Sequence, residues 1–159
     1  GWKQQLTPED VALRDSKGWI SSSYTACPDA MPNVGSNNEP IEATYLPLYC
    51  LANGFNGFLR WAWMNWTDNP MYDSRFKLFT PGDTYIVYPG MHSSRRFEHI
   101  IRGVQNVAKI ETLRKEYKQK RNQKAFQLLE DALSQFKNPT PNEAELRESI
   151  YKIESLLNK

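Results

Sequence analysis

Gly57-Phe-Leu-Arg-Trp-Ala-Trp-Met-Asn-Trp66 is the stretch on which the fold turns. Its aromatic content predicts a β-strand over Gly57–Asn65. The two-residue period sets Leu59, Trp61, Trp63 and Asn65 on one face, with Arg60, Ala62, Met64 and Trp66 on the other. A parallel strand buried on both faces ordinarily reads Val, Ile and Leu throughout. Three Trp, one Arg and one Asn instead suggest a strand whose C-terminal end borders a binding site, the end that carries the ligand in β/α barrels. An indole face suits the C–H side of a sugar ring. The plainer alternative is a set of core tryptophans with an ion-paired Arg60. Trp61, nearer the middle, reads as packing. For Trp63, Asn65 and Trp66 both readings stand.

Working outward, Thr7-Pro8-Glu9-Asp10 starts a short helix that ends before Gly18: a hydroxyl cap, Pro at the first position, then acids on the positive end of the dipole. Trp19–Cys27 is a strand candidate whose end presents Tyr24 and Thr25. Tyr24 can serve a site or cover the core with its hydroxyl in water. Residues 28–40 form a loop on composition. Pro40–Ala52 reads as a helix with Gly54 placed to cap it, and Pro47 is expected to kink or split it. A long loop, 66–83, precedes a short strand at Thr84–Tyr88. From Ser93 an apolar stripe runs from Phe97 to Ile110, with Glu98 and Arg102 spaced as an ion pair. Further helices are predicted over 122–136 and from about Thr140 to Leu157.

Strands alternating with helices argue for α/β architecture with parallel β/α units. Two principal strands cannot close a barrel or cover their own edges, so partners or further chain should complete the sheet.

The 159 residues are enough for one domain with a core, and the net charge is only +2. Charge is uneven: residues 1–90 carry 6 Lys/Arg and 9 Asp/Glu, while residues 91–159 carry 14 and 9. Fifteen of the twenty aromatic residues precede residue 91. An acidic, aromatic first part is thus followed by a basic helical tail. The seven basic residues in 109–124 read as a solvated helix, and nucleic acid is not expected as a partner. No run of about 18 apolar residues is present, so no membrane span is expected. Cys27 and Cys50 read as buried thiols. His92 and His99 have no Cys or acid at metal spacing, and neither a metal nor a cofactor is expected. The sequon Asn65-Trp66-Thr67 reads as coincidence.

Several motifs, in order, resemble one family: Gly18-Trp-Ile-Ser-Ser-Ser-Tyr-Thr-Ala-Cys27, Glu42-Ala-Thr-Tyr-Leu-Pro47, Gly57-Phe-Leu-Arg-Trp-Ala62, Gly82-Asp-Thr-Tyr-Ile-Val-Tyr-Pro-Gly90, Arg96-Phe-Glu98 and Gly103-Val-Gln105. Together they resemble the C-terminal segment of the glycoside hydrolase family 123 catalytic domain, over about residues 15–115. The resemblance implies the C-terminal part of a (β/α)8 TIM-type barrel over 1–115, with 116–159 as a helical tail packed on it. It implies a β-N-acetylgalactosaminidase-like enzyme acting on N-acetylhexosamine glycans, periplasmic, cell-surface or secreted in a bacterium. Catalysis in the family is substrate-assisted: the 2-acetamido oxygen attacks the anomeric carbon, and an adjacent Asp-Glu pair orients it and protonates the leaving group, an exception to the two-carboxylate scheme.

That acid pair is not found in this chain. Glu9-Asp10 and Glu130-Asp131 are the only adjacent acids, both in reverse order and both reading as solvated helix charge. Asp29, Asp68, Asp73 and Asp83 are isolated and read as turn formers or caps. Asn106 and Ala108 stand where the family commonly carries acids. No catalytic residue is therefore assigned. Tyr24, Trp63, Asn65 and Trp66 are the candidate substrate-binding residues, with Arg60, Trp61, Arg96 and Glu98 supporting them. The expected partners are a carbohydrate, the missing N-terminal part of the same protein and, for the fragment alone, further copies of itself. A free-standing carbohydrate-binding module is the alternative reading.

Overall fold

The computed structural model describes residues 6–25 and 31–158. Cys27 and Asp29 lie outside the described residues. Helix α1 spans Pro8–Ser16, and its Thr7 hydroxyl accepts from the Asp10 amide while the Asp10 carboxylate accepts from the Thr7 amide. Arg14 then reaches forward to Ser21 Oγ (2.9 Å) and the Ile20 carbonyl (2.8 Å), tying α1 to the entry of the first strand.

Strand β1 (Ser22–Tyr24), helix α2 (Pro40–Ala52) and strand β2 (Gly57–Leu59) form a β–α–β unit, with the strands parallel and Ser22 paired to Gly57, Ser23 to Phe58 and Tyr24 to Leu59. Asn56 starts the ladder, since its amide donates to the Ser21 carbonyl and its side-chain oxygen accepts from the Ser21 amide, each at 2.7 Å. Paired residues share a face. Ser23 and Phe58 turn toward the helices, where Phe58 packs against both hydrophobic clusters. Tyr24 and Leu59 lie on the other face, which no described helix covers, and Leu59 is left 54% exposed.

Both strands are shorter than predicted. The parallel ladder stops because a side chain takes over: Arg60 Nη1 donates to the Thr25 carbonyl. Beyond it the chain changes partner. Met64 bridges Tyr85 antiparallel, Asn65 N donates to Thr84 O, and Ile86 N and Val87 N both donate to Trp63 O. The expected strand Thr84–Tyr88 is therefore a set of isolated bridges, and the alternation predicted across Trp61 and Trp63 breaks between them. Trp63 turns to the helix side, meeting Phe97 edge-on at 6.3 Å.

Helices α3 (Arg95–Gln119), α4 (Gln123–Ser134) and α5 (Glu143–Leu157) follow. Helix α3 runs well beyond the apolar stripe that predicted it. Helix α2 is one unbroken helix through Pro47, neither split nor ended there; residues Glu42–Cys50 are all buried, so tertiary packing overrides the missing donor. Tyr45, Leu48 and Tyr49 of α2 join Ile110 of α3, Leu133 of α4 and Ile150 of α5 in the larger core. A smaller cluster under the strand ends unites Val34, Leu46, Ile86 and Ile100. The architecture is thus a mixed, helix-rich layer over a two-stranded parallel sheet.

The predicted Glu98–Arg102 pair does not form. Arg102 instead forks onto Glu154 of α5, with Nε 2.6 Å from Oε1, while Glu98 accepts from the Ser93 hydroxyl. A bidentate carboxylate on a neighbouring helix outcompetes a single-point partner on the same one. Among the described residues, no helix is long and apolar enough to cross a membrane.

Helices α2 and α3 cross at Gly103, where an added Cβ would meet the Thr44 carbonyl oxygen at 2.6 Å and Pro47 Cγ at 2.9 Å. Gly→Ala in a helix normally stabilises by up to ~1 kcal/mol. Here Gly103→Ala should destabilise by about 1–3 kcal/mol because backbone stands in the way. A fall in urea midpoint measures it; an unchanged or raised midpoint would contradict the close crossing.

Candidate functional site

The C-terminal ends of β1 and β2 are closed by a buried polar cluster centred on Arg60. Its side chain is wholly buried, and its Nη2 lies 2.5 Å from Asp83 Oδ1 and 3.0 Å from the Asp83 carbonyl. Nη1 donates to Thr25 O and Thr25 Oγ1 (both 3.2 Å) and to Asn33 Oδ1 (3.0 Å). One guanidinium thus joins β1, β2, the loop after β1 and the loop before α3. A desolvated charge persists only when paired and hydrogen-bonded in this way.

A second guanidinium extends the closure. Arg96, near the start of α3, donates to the carbonyls of Val34 (2.6 Å), Gly82 (2.7 Å) and Tyr85 (3.0 Å). Burial draws its pKa down, with neighbouring Tyr88 opposing. Close packing at Gly82 permits this geometry: its φ is +74° and an added Cβ would reach Arg96 Nη1 at 2.9 Å. Glu42 completes the frame from α2, accepting from the amides of Asn33 and Glu39 (both 2.9 Å) and from Asn38 Nδ2 (2.8 Å). Burial raises its pKa, while those donors pull it down.

An aromatic tier lies beside this cluster. Trp61 donates its indole N–H to Asp83 Oδ2 at 2.8 Å and stacks on Phe79 at 5.1 Å between ring centres, with Phe76 stacked on Phe79 at 6.2 Å. Trp61 stays 41% exposed. Trp66 is 40% exposed and donates its indole N–H to the Val87 carbonyl at 2.8 Å. Asn65 is exposed, held by its amide to Thr84. Tyr24 is half-buried on the helix-free face.

Of the candidate substrate-binding residues, then, Tyr24 lies on the helix-free face, Asn65 and Trp66 stand on the loop beyond it, and Trp63 is turned to the helices. There Trp63 joins the wall of an apolar groove of about 460 Å³ between α2 and α3, with Leu51, Phe58 and Val104. Among the supporting residues, Arg60 and Arg96 are buried and Glu98 is exposed at its helix start. Trp61 was expected to pack, and its ring does stack, but a large part of it faces outward.

The acids separate clearly. Asp73 accepts from the Arg75 amide and forks onto its guanidinium, so it is the turn former expected; those bonds hold its carboxyl down at about 2. Asp83 is not the isolated loop acid expected. It is 2% exposed and bridges Arg60 to Trp61. The signal that could have found it was Arg60 itself, because a cation at the end of a buried strand requires a counter-charge. Of the two adjacent acid pairs, Glu9 is exposed in the first turn of α1, Asp10 caps that helix, Glu130 pairs with Arg114, and Asp131 accepts from Gln127. Among the described residues no cluster of three His, Cys, Asp or Glu side chains suited to a metal occurs.

With this geometry in hand, the family described as the glycoside hydrolase 123 catalytic domain matches residues 1–113. The fold is similar to that of a family 123 glycoside hydrolase from Clostridium perfringens, the subject of a structural analysis of glycolipid glycan hydrolysis. Identity is 24% and the TM-score 0.77, over 95% of this chain and 28% of that one. This chain therefore spans about 28% of the length of that hydrolase. No curated protein matches it.

Two outcomes follow from the charges. Asp83→Ala leaves the Arg60 charge buried without its carboxylate and should cost about 3–5 kcal/mol. Asp73→Ala, at an exposed pair, should leave the urea midpoint almost unmoved. Comparable losses for the two would contradict the buried role of Asp83. Cys50, beside the groove, is a free buried thiol whose pKa burial pushes up to about 12. Mass spectrometry of its peptide should show no alkylation at pH 8 until the protein unfolds.

Proposed function

The chain belongs to the glycoside hydrolase 123 catalytic-domain family, and on that basis we propose that it is the C-terminal part of a (β/α)8-barrel hydrolase cleaving N-acetylhexosamine from glycolipid glycans. In this reading residues 1–115 supply the last barrel strands with their helices, and 116–159 form the tail. The catalytic carboxylates come from the preceding chain, and the 2-acetamido group of the sugar serves as internal nucleophile. This chain contributes part of the border of the site, through the aromatic rings of Tyr24 and Trp66 and the amide of Asn65, while Trp63 stands in the groove wall.

The observation that carries the reading is the parallel β1–β2 pair, closed at its C-terminal end by Arg60 and Asp83 and, among the described residues, bare of helices on the face of Tyr24 and Leu59. A barrel lumen lies on such a face, and its ligands bind at the C-terminal strand ends. Among the described residues the two strands have free edges, and the groove beside β2 is apolar. Further barrel strands and helices would cover both. The engagement of Asp10, Glu130 and Asp131 in helix contacts is consistent with a catalytic pair outside this chain.

A chromogenic β-N-acetylgalactosaminide tests the proposal. The isolated chain should release no chromophore, whereas a polypeptide in which it follows the rest of the barrel should. Release by the chain alone would place the acids here and overturn the assignment. Calorimetric binding of N-acetylhexosamine by the isolated chain would favour a free-standing binding module instead. Open strand edges and an uncovered groove should also make the isolated chain self-associate in light scattering; a clean monomer would count against them.

A further inference from the structure

We propose that Asp83 is a positioning residue, fixing the indole of Trp61 as a carbohydrate-facing platform at the mouth of the site. The inference rests on the carbohydrate-directed function proposed above and adds to it a residue pair outside the aromatic set assigned there.

The face comes first. Tyr24 and Leu59 are paired on the helix-free side of the strands, and Trp61 is the next position of the same parity beyond Leu59. Arg60, between them, is buried and Trp61 is exposed. Trp61 therefore stands exposed just past the C-terminal end of the strand pair, the end at which Tyr24 also lies.

The ring is held on two sides. Phe79 stacks on one indole face at 5.1 Å with 29° between planes, and Asp83 Oδ2 takes the N–H edge at 2.8 Å. The residue is nonetheless left 41% exposed. A pyranose offers an apolar C–H face with hydroxyls around its rim. A flat, oriented ring next to polar groups fits that chemistry.

The orientation is made rigid by the same carboxylate that neutralises Arg60. Asp83 Oδ1 accepts from Arg60, which also holds Thr25 and Asn33. The platform is thereby tied to both strands and to the loop after β1. Being 2% exposed, Asp83 cannot itself reach a sugar and acts through Trp61. Fixing the ring before binding removes an ordering cost that a free indole would carry.

The test uses the hydrolase that contains this chain, with a chromogenic β-N-acetylgalactosaminide. Trp61→Phe keeps a ring and the Arg60–Asp83 pair but removes the N–H; Trp61→Ala removes the platform. We expect KM to rise about tenfold in Trp61→Ala and about threefold in Trp61→Phe, with kcat changed less than about twofold, as loss of uniform binding requires. Asp83→Asn keeps one acceptor oxygen, which the Arg60 guanidinium takes, and turns its NH2 to the indole N–H, so the link to Trp61 is lost; assayed on protein whose near-ultraviolet circular dichroism remains native, it should match Trp61→Phe. The double variant should be no worse than either alone, because both break the same link. Unchanged KM in folded Trp61→Ala would overturn the platform. Additive effects in the double variant would overturn the role of Asp83. A parent protein inactive on every β-N-acetylhexosaminide would instead sink the proposed function, and this inference with it.

Discussion

The ion pair between Arg60 and Asp83 is the constraint on which the strand ends depend. Each charge is removed from water, so each needs the other and additional hydrogen-bond partners. Arg60 takes Thr25, just past β1, and Asn33 from the following loop through its terminal nitrogens, while its Nε stays without a partner, and Asp83 takes the Trp61 indole. Four stretches distant in sequence are pinned to one point. The same contact ends the parallel ladder, since a guanidinium rather than an amide receives the Thr25 carbonyl. A local electrostatic need thus sets the length of β2 and the place where the chain turns to its antiparallel partner at 84–87.

Beneath this cluster the helices are set by contact rather than charge. Gly103 lets α3 lie against the Thr44 carbonyl and Pro47 of α2. That closeness brings Ile100 under Leu46 and Val34 in the smaller core. Arg96, one turn earlier on α3, is thereby delivered to the carbonyls of Val34, Gly82 and Tyr85. The helix crossing and the polar cluster are parts of one construction: loosening the first would withdraw a guanidinium from the second. The tail is continuous with it, because α4 and α5 complete the larger core around Tyr45 and Tyr49 and clamp α3 through Arg114–Glu130 and Arg102–Glu154.

Much of this was legible along the chain. Thr7, Pro40 and the run from Thr140 mark helix starts by chemistry confined to a single turn, and all three helices begin within three residues of them. The parallel β–α–β order follows from alternating strand and helix signals. Aromatic strand content identified the region that borders the candidate site. Less legible were features that need a distant partner. Asp83 looks like any loop acid until Arg60 is placed beside it. Arg102 has a suitable acid four residues away, yet the better fork comes from Glu154, 52 residues on. The alternation from Leu59 to Asn65 fails at Trp63 because the partner segment changes, which the strand itself does not encode.

The sequence by itself determined the helix starts, the α/β character and the family, since these rest on short-range capping, periodicity and ordered motifs. Only the tertiary structure decided which tryptophan faces outward and which acid is buried. Side-chain direction after a strand end is set by the next hydrogen-bonding partner, and burial of a charge by whether a counter-charge arrives from elsewhere in the chain. Both are properties of the folded contact, not of the residue.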